Sequence, residues 1–122
     1  IWATWCVPCA KEMPELEKMR TRLAARNIDI IGINVDTEPN VNIRKYVAEK
    51  RVTYPILIGG VPVIEQLYAT DELSVPISIL IDEKGIVRDL IPGWSAETQR
   101  KFARLTGEES ETKAPAKASE KR

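Results

Sequence analysis

Histidine is absent from this sequence of 122 residues, and cysteine occurs only twice. Without imidazole, the chain cannot build a Ser–His or Cys–His nucleophile pair, and it has no histidine that could act as a general base or a metal ligand. Any covalent or acid–base chemistry must therefore use thiols, carboxylates or hydroxyls. The two cysteines, Cys6 and Cys9, are the first candidates for that chemistry.

The sequence also lacks an excess of charge and a long apolar run. Lys plus Arg and Asp plus Glu both number 18, so the formal net charge is zero and the basic surface of a nucleic-acid-binding protein is missing. No apolar run reaches the roughly 18 residues that a transmembrane helix needs. The length and the hydrophobic fraction of 43% fit one globular domain with one core. We expect a monomer without nucleic-acid partners.

Alternating helical and strand patterns predict an α/β domain with a mixed sheet. The predicted elements are a helix at 7–26, a strand at 28–35 that is buried on both faces, helices around 43–47 and 64–68 with a short apolar segment at 55–58 between them, and an antiparallel hairpin at 75–81 and 86–91. A last helix is predicted to be capped by Ser95 and to end at Gly107. These elements place the domain at residues 1–107. Residues 108–122 carry no large apolar side chain and are predicted to be a disordered polar tail.

The two cysteines lie in the run Trp5-Cys6-Val7-Pro8-Cys9, at the start of the first predicted helix. Three-residue spacing puts both sulfurs on the same side of the first helical turn. The unpaired N–H groups and the positive dipole end of the helix favour the thiolate of Cys6, which is the attacking species in thiol–disulfide exchange. Cys9 is expected to be less exposed and to resolve the mixed disulfide by attacking the Cys6 sulfur. Pro8 pre-sets the backbone of this turn.

Three other roles for the cysteine pair need to be weighed against redox catalysis. A zinc site needs four ligands, and the chain offers two thiolates and no imidazole. A purely structural disulfide that closes so small a loop gains little stability. A copper(I) site with Met13 or Met19 nearby is the most serious alternative, because soft sulfur ligands select that ion. Redox catalysis is favoured, no metal site is predicted, and a copper(I)-binding chaperone is the alternative function.

A second feature is Pro76, which opens a predicted strand after a loop. Proline is ordinary at the first residue of a strand, and only about 5–6% of X-Pro bonds in folded proteins are cis. A cis Val75–Pro76 bond would turn the Val75 backbone outward, where it could pair with an extended substrate next to Cys6. The cysteine motif upstream favours this hypothesis.

These motifs together resemble a known family. The segment Trp2-Ala3-Thr4-Trp5-Cys6-Val7-Pro8-Cys9, followed by Glu12-Met13-Pro14, resembles the thioredoxin superfamily. The glutamate two residues before Pro14, Glu12, makes the segment resemble more narrowly the TlpA/ResA branch of extracytoplasmic thiol–disulfide reductases. Shorter matches follow at Gly32-Ile33-Asn34-Val35, Tyr54-Pro55, Val75-Pro76, Ile79-Leu80-Ile81-Asp82 and Lys84-Gly85. The resemblance covers about residues 1–107 and implies a thioredoxin-like fold, with the branch's inserted helix and strand at about 41–68.

The resemblance implies a role for each matching residue. Cys6 would be the attacking cysteine and Cys9 the resolving cysteine of a protein-disulfide reductase, which uses no cofactor besides its redox-active Cys6–Cys9 disulfide. The residues implied in substrate binding and active-site support are Trp5, Val7, Pro8, Glu12, Val75, Pro76 and Gly93. An acidic residue after the strand that ends at Val35 is implied as well, and both Asp36 and Glu38 fit. Simple helix capping is the alternative role for those two, and a solvated first-turn carboxylate is the alternative for Glu12.

Partners and a location also follow from the resemblance. Protein thiols and disulfides would be the substrates, in cytochrome c maturation or in general disulfide reduction, and an upstream thiol donor such as a membrane carrier would supply electrons. The location would be extracytoplasmic, either periplasmic or membrane-anchored and facing outside. Only residues 1–3 match the strand that the family places mid-sheet. We therefore expect this chain to be a fragment without the N-terminal strand and most of the central strand.

Overall fold

The computed structural model describes residues 1–60, 62, 65–66 and 74–107. The elements in chain order are α1 (Val7–Ala24), β1 (Gly32–Ile33), α2 (Ile43–Glu49), β2 (Ile56–Leu57), β3 (Ile77–Ile81), β4 (Val87–Pro92) and α3 (Ala96–Thr106). Three residues of the predicted helix around 64–68, namely Ile64, Leu67 and Tyr68, lie outside the described residues, as does the predicted tail at 108–122. The described helices include none that is long and apolar enough to cross a membrane.

Helix α1 begins at the cysteine motif and buries one apolar face. Cys6 is its N-cap, with extended backbone angles, and Pro8 lies in the first turn, where a missing N–H costs nothing. The buried residues are Cys9, Glu12, Met13, Leu16 and Leu23, which are separated by one, three or seven positions. This spacing places them on one face of the helix, so burial of that face fixes which way Cys9 points.

The sheet is mixed, as predicted, and residues 1–3 join its two halves. Strand β1 pairs in parallel with β2, and β3 pairs antiparallel with β4. Trp2 forms a parallel bridge with Asn34, while Ile1 and Ile77 exchange two backbone hydrogen bonds of 2.9 and 3.4 Å. The resulting order is β2, β1, residues 1–3, β3 and β4. Residues 1–3, which lead into the segment that carries Cys6 and Cys9, therefore occupy the centre of the sheet.

The prediction of a long strand at 28–35, buried on both faces, is wrong for its first half. Only Gly32–Ile33 form a strand, with a bridge at Asn34, and Ile31 is 58% exposed. A strand is stabilised by its neighbours, and β2 and Trp2 supply backbone partners only from Gly32 onward. Parallel pairing on both sides, with β2 and with Trp2, nevertheless gives β1 an internal position in the sheet.

An apolar cleft of about 500 Å³ separates the first half of this segment from β3. Its walls include residues 28–33 on one side and residues 78–81 on the other, and Ile1 lies among the lining residues. Among the described residues, those that lie between β1 and β3 are residues 1–3. Helices α1 and α3 contact each other and contribute to the hydrophobic core. The ring of Phe102 in α3 packs against the ring of Trp94, with the two ring centroids 5.9 Å apart.

Candidate active site

Cys6 and Cys9 form a disulfide across the first turn of α1, with their Cα atoms 5.2 Å apart. The backbone N–H of Cys9 donates a hydrogen bond to the Cys6 sulfur, at 3.1 Å. This donor is one of the N–H groups that a helix leaves unpaired at its start, and it is aimed at the sulfur that would carry negative charge after reduction. Cys6 retains 4% of its surface exposed and Cys9 retains none, as expected. Only Cys6 can therefore be approached from solvent.

Exposed apolar side chains surround Cys6. Trp5 is 64% exposed and Val7 is 66% exposed, and Pro8 also faces solvent. Large apolar side chains that remain in water on both sides of a nearly buried sulfur form a surface that an apolar partner segment can cover. The structure thus places these three predicted residues on the accessible rim of the disulfide.

The Val75–Pro76 peptide bond is cis, as hypothesised from the sequence. Pro76 is buried, and its carbonyl accepts a 2.8 Å hydrogen bond from the backbone N–H of Gly93. The antiparallel pairing of Ile1 with Ile77 continues in register to Val75 opposite Ala3, immediately before the cysteine turn. The sheet therefore brings Val75, Pro76 and Gly93 to the same end of the molecule as Cys6.

Glu12 is buried inside the helix face that carries Cys9. Its side chain is only 3% exposed, and its Oε2 atom has no hydrogen-bond partner among the described residues. Burial raises the pKa of Glu12 to about 7, and the positive amino group of Ile1 offsets part of that rise. The interpretation of Glu12 as a solvated first-turn carboxylate is therefore wrong. Because Glu12 follows Cys9 by three positions, the two side chains are neighbours on one helix face.

The acidic residue that contacts the cysteine turn is Asp36. Its carboxylate accepts hydrogen bonds from the backbone N–H and the hydroxyl of Thr4, at 2.8 and 2.6 Å. Glu38 is exposed, and the cap of α2 is Asn42, whose side chain accepts from the N–H of Lys45. The alternative role of Asp36 and Glu38 as helix caps is therefore wrong.

The sequence analysis did not assign a role to Thr4 or to Tyr46. The Tyr46 ring of α2 stacks on Trp2 at 5.4 Å, which places α2 against the segment that leads to Cys6. Burial and the nearby Asp36 raise the pKa of the Tyr46 phenol. The aromatic residue on the apolar face of a predicted helix was a signal for packing, but its partner Trp2 lies 44 positions away in sequence. Among the described residues, no group of three or more Cys, Asp or Glu side chains could hold a metal ion.

Comparisons with known proteins agree with this geometry. Residues 1–90 match the AhpC/TSA family. The thiol-disulfide oxidoreductase ResA of Geobacillus thermodenitrificans is 33% identical over 92 residues, which are 75% of this chain and 51% of that protein. The chain thus spans about half the length of this curated relative.

Solved structures give the same fold. A thiol:disulfide interchange protein of the thioredoxin family from Chlorobium tepidum is similar with a TM-score of 0.67 and 27% identity, over 86% of this chain and 72% of that one. StoA from Bacillus subtilis is similar in fold with a TM-score of 0.65 and 22% identity, over 84% of this chain and 77% of that one. The α/β architecture is therefore thioredoxin-like, as expected. The chain belongs to the AhpC/TSA family and is a TlpA/ResA-like member of the thioredoxin superfamily.

Proposed function

We propose that this chain carries the catalytic site of a thiol–disulfide oxidoreductase that reduces disulfides in protein substrates. The observation that carries the proposal is the hydrogen bond of 3.1 Å from the Cys9 N–H to the Cys6 sulfur at the start of α1. A helix N-terminus that donates to one sulfur stabilises its thiolate, and the thiolate is the nucleophile in exchange. The unequal burial of the two cysteines supports an attacking role for Cys6 and a resolving role for Cys9.

The reaction then takes two exchange steps. The Cys6 thiolate attacks one sulfur of a substrate disulfide, forms a mixed disulfide and releases the other substrate sulfur as a thiolate. The Cys9 thiolate next attacks the Cys6 sulfur, closes the Cys6–Cys9 disulfide and releases the second substrate thiolate. Two electrons pass to the substrate, whose thiolates take up protons. An upstream thiol donor, such as a membrane carrier, must return two electrons to Cys6–Cys9 before the next turnover.

The other residues assist these steps in different ways. Trp5, Val7 and Pro8 present apolar surface to the substrate segment, and the Val75 backbone next to Pro76 and Gly93 pairs with it in extended form. Glu12, with a pKa of about 7, is suited to accept the Cys9 proton at neutral pH before the resolving step. No cofactor besides the disulfide is required.

The proposal includes a location and an oligomeric state. The resemblance to TlpA/ResA proteins supports an extracytoplasmic site, where an incoming supply of electrons would keep the pair reduced. We further propose that the domain acts as a monomer on proteins and does not bind nucleic acid, which agrees with its net charge of zero.

Insulin reduction tests the proposal, with the full chain as wild type and with the matched variants Cys6→Ser and Cys9→Ser. Both variants should lose turnover, and only Cys9→Ser should accumulate a mixed disulfide with the substrate, because it retains the attacking sulfur. Trapping by Cys6→Ser instead would reverse the assigned roles. A wild-type protein that shows no turnover but binds copper(I) stoichiometrically would replace the enzyme with a copper chaperone.

A further inference from the structure

We propose that Asp36 is a positioning residue for Cys6, because its carboxylate fixes the tight turn that carries Cys6 to the start of α1. This inference rests on the proposed function, since it concerns the reactivity of the same sulfur. The side-chain hydrogen bonds of Asp36 come from Thr4 and Asn34, so its effect on Cys6 passes through Thr4.

The turn before α1 consists of residues 3–6. The backbone N–H of Cys6 donates to the carbonyl of Ala3 at 3.2 Å, which closes a four-residue turn with Thr4 and Trp5 at its corner. Trp5 projects into solvent and is 64% exposed, so burial of its side chain does little to hold the corner. The position of the corner therefore depends on how Thr4 is held.

Asp36 holds Thr4 through two atoms at once. Its Oδ2 accepts from the Thr4 backbone N–H at 2.8 Å, and its Oδ1 accepts from the Thr4 hydroxyl at 2.6 Å. Hydrogen bonds to an ionised acceptor are stronger than those between neutral groups, and a two-point contact fixes orientation as well as distance. The main chain and the side chain of Thr4 are thus both tied to one carboxylate.

The carboxylate is itself anchored in the sheet. The side-chain amide of Asn34 donates to Asp36 Oδ2 at 2.7 Å, and the Asp36 backbone N–H donates back to Asn34 Oδ1 at 3.0 Å. Asn34 is fully buried, and its backbone bonds to Leu57 and Gly60 at 2.8 and 3.0 Å. The contact to Thr4 therefore ties the turn to Asn34 at the end of β1, whose backbone is hydrogen-bonded to Leu57 of β2 and to Gly60.

The position of the turn matters for chemistry because the Cys6 sulfur must stay in line with the Cys9 N–H, which donates a hydrogen bond to it at 3.1 Å. A loosened turn weakens that bond and moves the sulfur away from the helix N-terminus, so the Cys6 thiolate loses stabilisation. The simple electrostatic effect of removing Asp36 has the opposite sign, because the loss of a nearby negative charge favours a thiolate. The direction of the change therefore separates the two explanations.

The test compares Thr4→Val, Thr4→Ser, Asp36→Asn and Glu38→Gln in the full chain. Thr4→Val removes the hydroxyl donor and leaves every charge in place, and Thr4→Ser restores the donor. Glu38→Gln is the matched control, because it removes an exposed carboxylate two positions from Asp36. The readouts are the pKa of the Cys6 thiol and the equilibrium constant with glutathione, in proteins whose circular dichroism shows them to be folded.

If Asp36 positions Cys6, Thr4→Val and Asp36→Asn should both raise the pKa of the Cys6 thiol. They should also shift the equilibrium with glutathione about tenfold towards the Cys6–Cys9 disulfide, which is equivalent to about 30 mV for a two-electron couple. Thr4→Ser and Glu38→Gln should match the wild type. A Cys6 pKa that falls or stays unchanged in the folded Thr4→Val variant refutes the role, and so does an equal effect of Glu38→Gln. Should Asp36→Asn fail to fold, Thr4→Val decides alone.

The same data separate this inference from the proposed function. A wild-type Cys6 pKa near the ordinary thiol value of about 8.5 would count against the reactive-cysteine mechanism as a whole. A lowered wild-type pKa that Thr4→Val leaves unchanged would count against Asp36 alone.

Discussion

The buried carboxyl of Glu12 should make the stability of this protein fall as the pH rises, and Glu12→Gln should remove that trend. Glu12 is 3% exposed and burial raises its pKa from 4.5 to about 7. Between these two values the folded state binds more protons than the unfolded state does. Stability therefore decreases from about pH 4.5 upward and reaches its full loss above about pH 7.

The size of the effect follows from the two pKa values. Each pKa unit corresponds to about 1.4 kcal/mol, so a rise from 4.5 to about 7 costs about 3 kcal/mol once the carboxyl is fully ionised. Below about pH 4.5 the carboxyl is protonated in both states and the cost disappears. Glutamine has nearly the same shape and stays neutral at every pH. Glu12→Gln should thus be more stable than the wild type by about 3 kcal/mol at alkaline pH and equal to it in acid.

Urea unfolding of the oxidised protein at several values between about pH 4 and about pH 8.5 measures the difference, because neither cysteine titrates in the disulfide. Glu15→Gln is the matched control on the same helix. Its side chain is 47% exposed and pairs with Lys18, so its effect should stay below about 1 kcal/mol. A difference between the wild type and Glu12→Gln that does not vary with pH would refute the raised pKa of the buried Glu12 carboxyl.

Two further predictions concern the stability of the structure around the site, at Gly60 beside β1 and at the cap of α3. Gly60→Ala should lower the free energy of unfolding by about 1–3 kcal/mol, because the added Cβ would overlap Ile33 Cγ2 and lie 3.1 Å from the Asn34 carbonyl oxygen. The double variant Ile33→Ala, Gly60→Ala removes the overlapping methyl group. If its loss of stability equals the sum of the two single losses, the clash is excluded. Ser95→Ala should lower the free energy of unfolding by about 1 kcal/mol, measured by thermal or urea unfolding. The reason is the cap of α3, where the Ser95 hydroxyl accepts a hydrogen bond from the Thr98 N–H and the Thr98 hydroxyl accepts one from the Ser95 N–H. Ser95→Asp, which keeps an acceptor at the cap, should retain most of that stability.

Local patterns were sufficient to predict α1, α2, α3 and the hairpin of β3 and β4. The apolar spacing along α1, the cap at Ser95 and the left-handed Gly107 all depend on residues within a few positions of one another. The cysteine pair is local as well, since its spacing and its place before a helix fix which sulfur lies at the N-terminus. The cis bond at Pro76 is different, and local sequence supports it only as a hypothesis, because cis and trans X-Pro bonds differ little in energy without a tertiary context.

What the sequence determined by itself is the set of groups available to this protein: two thiols three positions apart, no imidazole, and a helix that begins at the first thiol. Tertiary structure decided which distant side chains serve that pair. It buried Glu12, placed Asp36 rather than Glu38 against Thr4, and began β1 at Gly32, where its backbone partners begin. These outcomes depend on desolvation and on hydrogen bonds between residues far apart in sequence, and neither is encoded in local spacing.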